Sequence, residues 1–156
     1  MEDSQELMVQ RIISGGQTGV DRAALDAAIF LQIEHGGWCP LGRLAEDGEI
    51  PRQYQLTETK SPKYSFRTRR NVDDAQGTLI FYCDSLSGGT SLTFRYASER
   101  KRPFLLVDLC QEVDIDMIRK WLIAESVQVL NVAGPRESSY PGISDIAREV
   151  LIKLLE

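Results

Sequence analysis

The sequence has a single histidine, His35, and only three cysteines, Cys39, Cys83 and Cys110, widely spaced and without a CxxC pair. That scarcity argues against a disulfide scaffold and against a structural zinc site, and it predicts free, buried thiols and no protein-ligated metal. No run of 18 apolar residues occurs, so no segment is expected to span a membrane. Internal repeats, low-complexity tracts and domain linkers are also missing. The N-terminal residues 1–6 are acidic where a secretory signal would be basic, which predicts a cytoplasmic protein. What remains is a chain of 156 residues, 42% hydrophobic and 26% charged, ordinary for one soluble globular domain covering residues 1–156.

An excess of positive charge is lacking too. The formal net charge is −5, which argues against nucleic acid as a partner. The charge is uneven, however. Residues 51–70 carry Arg52, Lys60, Lys63, Arg67, Arg69 and Arg70 against one acid, Glu58. A net +5 confined to that segment suits a small discrete anion better than a polyanion, with a solvated loop and helix face as the plainer alternative.

Apolar patterning alternates between strand and helix. Residues 8–13 form a short apolar run that stops at Ser14-Gly15-Gly16, as a buried strand would. Val20, Ala23, Ala24, Ala27, Ala28 and Leu31 then follow helical spacing. Residues 33–39 make a weaker strand, and residues 40–64 are punctuated by Pro40, Gly42, Gly48, Pro51 and Pro62, with a short strand expected near residues 54–57. A connection of that length is usually functional or mobile. Further helices are expected over about residues 65–75, from 87 to about 100, after an Asp114 N-cap, and at the C-terminus with Pro141 in its first turn. Strands are expected at 78–83, 103–108 and 127–132, the first of these buried on both faces. The pattern predicts an α/β, Rossmann-like domain: a mostly parallel open sheet of about 5–6 strands with helices on both faces.

Ligands on such sheets bind at the carboxyl ends of the strands, where strand order reverses. Three of those ends carry glycine beside hydrogen-bonding groups. The first is Gly15-Gly16-Gln17-Thr18-Gly19, which is neither GxGxxG nor GxxxxGK[ST]. The second is Ser87-Gly88-Gly89-Thr90, and the third runs from Asn131 through Gly134 to Arg136 and Glu137. Small residues let backbone N–H groups approach an anion, and each following helix directs its positive end there. Arg136 supplies a planar fork for phosphate or carboxylate, or pairs with Glu137 or Asp145. In residues 36–51, Trp38 is a stacking platform or a core indole, and Arg43 is a candidate phosphate contact. Glu46 and Asp47 form either an Mg²⁺ or acid–base pair or, as the commoner outcome, solvated loop carboxylates.

Taken in order, Gly15 to Arg22, Gly36-Gly37 with Cys39-Pro40 and Ala45-Glu46-Asp47-Gly48, Tyr64 with Arg67-Thr68, Asn71-Val72, Ser87 to Thr90 and Asn131 to Ser138 resemble the molybdenum cofactor carrier family of the SLOG superfamily. The superfamily comprises Rossmann-like nucleotide-ligand binders, and the likeness spans nearly the whole chain. It implies a small oligomeric protein with a pocket for a phosphate-bearing pterin or nucleotide-like ligand, molybdopterin with its molybdenum included. It also implies a molybdoenzyme or a cofactor-biosynthesis protein as partner. Carried onto this sequence, Gly15, Gly16, Gln17, Thr18 and Gly19 would hold the anionic group. Ser87, Gly88, Gly89 and Thr90 would form the opposing wall, Asn131, Gly134, Arg136 and Glu137 would close the site, and Arg67 and Thr68 would approach from the basic segment. The PGGxGTxxE signature of the related phosphoribohydrolases is absent; only Gly88-Gly89-Thr90 survives from it, and no catalytic residue is assigned. A nucleotide hydrolase using Asp21, Glu46 or Asp47, and a ligand sensor acting through a subunit interface, stand as alternatives to the carrier. Molybdenum in such a cofactor is held by the pterin dithiolene, so a His/Cys cluster is not needed for the carrier.

Overall fold

All five strands of the main sheet run in the same direction, and the last of them in sequence lies at its centre. The computed structural model describes residues 7–156; the acidic residues 1–6 lie outside the described residues. The sheet consists of β1 (Arg11–Ile13), β2 (Glu34–Gly36), β7 (Gly77–Tyr82), β8 (Phe104–Asp108) and β9 (Val129–Ala133), in the order β2-β1-β9-β7-β8. Every pairing is parallel, with Ile12 beside Leu130 and Thr78 beside Asn131. Five parallel strands agree with the expected open sheet. β7 is an inner strand and buried from Gly77 to Phe81, as its unbroken apolar run predicts.

Five helices cover the sheet: α1 (Val20–Leu31), α2 (Tyr64–Asp74), α3 (Gly88–Glu99), α4 (Ile115–Ala124) and α5 (Ile143–Leu155). The crossovers β1–α1–β2 and β7–α3–β8 step outwards in opposite directions, which places α1 and α3 on opposite faces. α1, α4 and α5 share one apolar cluster with the sheet, while α2 packs on α3. Ala23, Ala24, Ala27 and Ala28 are fully buried, and their small side chains let α1 lie close to its neighbours. Asp114 caps α4 by accepting from Met117 N at 3.0 Å, and Val113, just before the cap, and Ile118, four residues after it, join the same cluster as a hydrophobic staple.

Three local expectations change. The C-terminal helix starts at Ile143 with Gly142 in the left-handed region (φ 94°), so Pro141 precedes the helix instead of occupying its first turn. The strand expected over 33–39 divides into β2 and β3 (Trp38–Cys39), because Gly37, at φ 121°, breaks the extended run. β3 pairs with β6 (Thr57–Glu58) in a separate parallel pair, just beyond the short strand expected near 54–57. The cysteines are also not all free. Cys83 and Cys110 form a disulfide, with Cα atoms 5.1 Å apart, while Cys39 is the buried free thiol that was expected. Parallel pairing of β7 and β8 brings the two together, a proximity that their sequence separation of 27 conceals.

The irregular region 40–58 is an ordered strap. β4 (Leu44–Ala45) and β5 (Gly48–Glu49) form a small hairpin with Glu46 and Asp47 at its tip. Ile50 and Tyr54 join Leu25 and Cys39 in a second apolar cluster. Arg43 is buried and donates to the carbonyls of Ile50 (3.2 Å), Pro51 (2.9 Å) and Tyr54 (2.8 Å). Its guanidinium is therefore used to hold the strap, which corrects its assignment as a phosphate contact. The Tyr54 hydroxyl donates to Asp26 at 2.6 Å, and burial together with that carboxylate pushes it up to about 12.

Candidate functional site

Moving β9 to the front of the chain would turn the observed order into 3-2-1-4-5, the order of an open Rossmann-type sheet with its switch point between strands 1 and 4. In this chain the switch point therefore falls between β9 and β7. A cavity of about 400 Å³ opens at that point, within the range of small-molecule sites.

Four segments line it. The segment after β7 supplies Ser85 and Ser87 and, in the first turn of α3, Gly88, Gly89 and Thr90; the loop after β9 supplies Gly134, Pro135, Arg136 and Ser139. The segment after β1 contributes Gln17 and, in the first turn of α1, Asp21, and α2 contributes Tyr64, Arg67 and Thr68. Of the residues singled out from the sequence, Gln17, Arg67, Thr68, Ser87, Gly88, Gly89, Thr90, Gly134 and Arg136 thus meet at one cavity. Gly15, Gly16, Thr18, Gly19, Asn131 and Glu137 are not among its lining residues.

Packing explains that division. A Cβ on Gly15 would fall 2.6 Å from Arg67 Cζ, so the missing side chain is the seat of the Arg67 guanidinium. Gly19 (φ 80°) lies against the backbone of residues 135–137, and a Cβ there would come within 2.7 Å of Glu137 N. Reciprocally, a Cβ on Gly134 would meet Val20 at 2.7 Å. The loops after β1 and β9 are thereby locked together, with Val20 N donating to the Pro135 carbonyl (3.1 Å) and Glu137 N to Thr18 Oγ1 (3.1 Å). Asn131 is buried in the sheet and donates to Thr78 Oγ1 at 3.3 Å. By contrast, a Cβ on Gly88 or Gly89 would meet nothing within 4 Å.

The three helices that begin at this edge differ in how their first N–H groups are satisfied. At α1 the Pro135 carbonyl takes Val20 N, and Asp21 accepts from Gln17 N at 3.2 Å. At α5 the Glu137 carboxylate accepts from Gly142 N (2.7 Å) and Ser144 N (3.1 Å), a cap supplied from within the chain. At α3 the N-cap residue Ser87 makes no side-chain capping bond, and the first turn is Gly88-Gly89-Thr90 in the cavity wall. Open backbone N–H groups and the positive end of a 12-residue helix face the cavity there.

Arg67 and Asp21 form the electrostatic centre. Arg67 Nη1 donates to Asp21 Oδ2 at 3.1 Å, with side-chain exposures of 14% and 5%. The buried Arg67 Nε has no hydrogen-bond partner among the described residues. Burial pushes the Asp21 carboxyl above its ordinary value, against the opposing pull of Arg67 and the Gln17 N–H. Arg136, half-exposed at the rim, stands 3.8 Å from Glu46.

Glu46, like Asp47, is an exposed loop carboxylate, the commoner outcome expected, but it is bonded within the protein. Its carboxylate accepts from Thr18 Oγ1, Ser138 Oγ and Ser138 N (3.2 Å), tying the strap to both locked loops. The Ser138 and Thr18 hydroxyls hold its pKa below the ordinary value. Asp47 pairs bidentately with Arg22 at 2.5 and 2.7 Å, and that guanidinium lowers its pKa. Neither is a free loop carboxylate. Trp38 is half-buried, with Arg70 3.9 Å above its ring and its Nε1 donating to Asp74 at 2.7 Å, so the protein itself covers one face of the indole and pairs its N–H. Of the basic segment, Arg67 alone is among the cavity-lining residues; Arg69 lies over Tyr96 and Arg52 pairs with Glu49. Ser139 lies beyond the segments that the sequence singles out, because an isolated serine in a loop carries no spacing signal.

Fold and cavity together define a permuted Rossmann-like domain with a ligand-sized crevice at its switch point. The chain belongs to the circularly permutated YpsA SLOG family, whose model matches residues 12–155. It is similar over 97% of its length, at 44% identity and a TM-score of 0.94, to a crystal structure from Syntrophus aciditrophicus SB named "Putative molybdenum carrier protein", of which 98% is covered. No curated protein matches the sequence. No described helix is long and apolar enough to cross a membrane.

Proposed function

We propose that the crevice binds a phosphate-bearing pterin or nucleotide-like ligand, with the molybdenum cofactor as the first candidate, and that the protein serves as its carrier. The observation that carries this reading is the start of α3, which has no side-chain cap at Ser87 and lines the same cavity as Arg67. The donor set suits a phosphate group: the N–H groups of Gly88, Gly89 and Thr90, the Ser87 hydroxyl, and two guanidinium groups, Arg67 and Arg136. Gln17 and Thr68 offer polar groups for a ring edge. Gly15, Gly16, Thr18 and Gly19 act in this reading by placing Arg67 and the neighbouring loops, and Asn131 and Glu137 by fixing the sheet end and α5. The name of the Syntrophus structure supports molybdenum cargo. The cargo's molybdenum needs no protein ligand in the crevice, since the pterin dithiolene carries it. Carriage in the cytoplasm, an oligomeric assembly, and transfer to a molybdoenzyme or cofactor-biosynthesis protein belong to the same proposal.

A second reading rests on Asp21. A buried carboxyl with a raised pKa inside a ligand crevice is placed as an acid–base group would be, which favours nucleotide hydrolysis. Isothermal calorimetry separates the two. Purified protein titrated with molybdenum cofactor, its metal-free pterin and a set of nucleotides is expected to bind at least one pterin form without turnover. Absence of binding up to millimolar ligand overturns the carrier, and nucleotide cleavage lost in Asp21→Asn establishes the hydrolase.

A further inference from the structure

Beside the crevice, at the same edge of the sheet, lies a group of residues with different chemistry. Cys83 follows β7 directly and Cys110 follows β8 by two residues. Asp108, the last residue of β8, stands opposite Tyr82 in the register. Potential ligand atoms of Cys83, Asp108 and Cys110 all lie within 4.8 Å of one another. The Asp108 carboxylate is turned towards this point by accepting from Cys110 N at 2.9 Å. The Tyr140 hydroxyl approaches Cys110 Sγ at 3.2 Å from the loop that also brings Ser139 to the crevice. Cys110 is exposed, whereas Cys83 and Asp108 are half-buried, so the group is open to solvent on one side.

We propose that these three residues form a thiol-gated site for one thiophilic divalent cation. In the disulfide state the sulfurs are joined and the site is shut. A dithiol reductant opens it by exchange: the reductant gives two electrons and two protons to the Cys83–Cys110 bond and leaves as its own disulfide, while both cysteines become thiols. Each thiol then releases a proton on binding the cation, so one M²⁺ enters and two H⁺ leave. Tetrahedral zinc with bonds of about 2.3 Å to sulfur requires the sulfurs about 3.8 Å apart. Cα atoms 5.1 Å apart allow that separation through side-chain rotation without moving the strands. Asp108 supplies a hard third ligand, and the open side leaves a fourth position for water or the Tyr140 hydroxyl. The buried thiol Cys39 belongs to the second apolar cluster and takes no part.

The site is independent of the crevice reading, and its test uses Zn²⁺ alone. Reduced protein, freed of reductant without air, is titrated with Zn²⁺ against a chromophoric chelator, with proton release recorded in weak buffer. One Zn²⁺ per chain and about two protons are expected, with affinity at least tenfold weaker in C83S, C110S and D108N. The same wild-type protein after oxidation should show one free thiol under denaturing conditions and no such binding, a comparison that needs no variant to fold. Zn²⁺ binding that survives oxidation, or that is as tight in a C83S/C110S double variant as in the reduced wild type, overturns the proposal. Three free thiols after oxidation also overturn it.

Discussion

Arg67, seated over Gly15, donates to Asp21 at the crevice, and its buried Nε has no partner among the described residues. The pairing sets how the crevice meets an anion. A ligand phosphate must share Arg67 with Asp21, so removing the guanidinium removes the main positive charge at the centre. Arg67→Ala is expected to weaken binding of pyrophosphate, used as a probe, by tenfold or more, since a charge-assisted hydrogen bond contributes about 1.5–3 kcal/mol. Arg136→Glu should weaken it less, and Lys101→Glu, away from the cavity, hardly at all. Equal losses from all three, measured by calorimetry, would show diffuse attraction instead of a seat.

The Asp21 carboxyl carries a pH signature. Its folded pKa lies above the ordinary value of 3.8 because burial disfavours the charged form. The folded state therefore binds more protons than the unfolded one above that value, and stability falls as pH rises through the folded pKa. Asp21→Asn should flatten this slope in urea unfolding measured from pH 4 to 7. Anion binding should likewise tighten as pH falls in the wild type, because protonation removes a negative charge beside the ligand. An unchanged slope in both experiments would remove Asp21 from the electrostatic centre.

Glu46 should behave in the opposite sense. The hydroxyls of Ser138 and Thr18 lower its pKa, so its contribution is present above the ordinary value of 4.5 and is lost as pH falls through the folded pKa. Glu46→Gln is expected to cost about 1–2 kcal/mol at neutral pH, since it weakens charge-assisted bonds at a partly exposed site. It should also increase hydrogen exchange in residues 40–58 selectively. Unaltered exchange there would mean that the strap is held by Arg43 and Ile50 alone.

Two glycines separate folding from binding. Gly19→Ala places a Cβ against the backbone of residues 135–137 at a positive φ and should destabilise the fold by about 2 kcal/mol or more. Gly89→Ala meets no atom within 4 Å and has no positive φ, so thermal stability should hold. Its methyl group projects into open space, and weaker pyrophosphate binding is the expected result. Loss of stability in Gly89→Ala, or its absence in Gly19→Ala, would reverse these assignments.

Much of this arrangement is legible in the sequence. The alanine ladder of α1, the apolar run of β7 and the Asp114 cap act locally, so their elements can be read from neighbouring residues. The glycine loops also mark the correct edge of the sheet. What the loops do there is decided by partners far away in sequence: Gly15 by Arg67, Gly19 by residues 135–137, and Gly134 by Val20. A glycine that admits protein and a glycine that admits ligand look alike in one dimension. The same holds for Cys83 and Cys110, and for Glu46, whose carboxylate meets Ser138 only when the strap folds over the loop after β1.

The central position of β9 has a consequence for how the molecule forms. β1 pairs with β2, and β7 with β8, but only β9 joins the two halves. During synthesis both halves must wait, with their inner edges open, until nearly the whole chain has emerged. The contacts that complete the crevice are thus among the longest in sequence, such as Glu137 to Thr18, and slow folding is the general cost of such long-range pairing. A shortened chain ending before β9 would hold two unjoined strand pairs with exposed edges, a species suited to chaperone capture or aggregation.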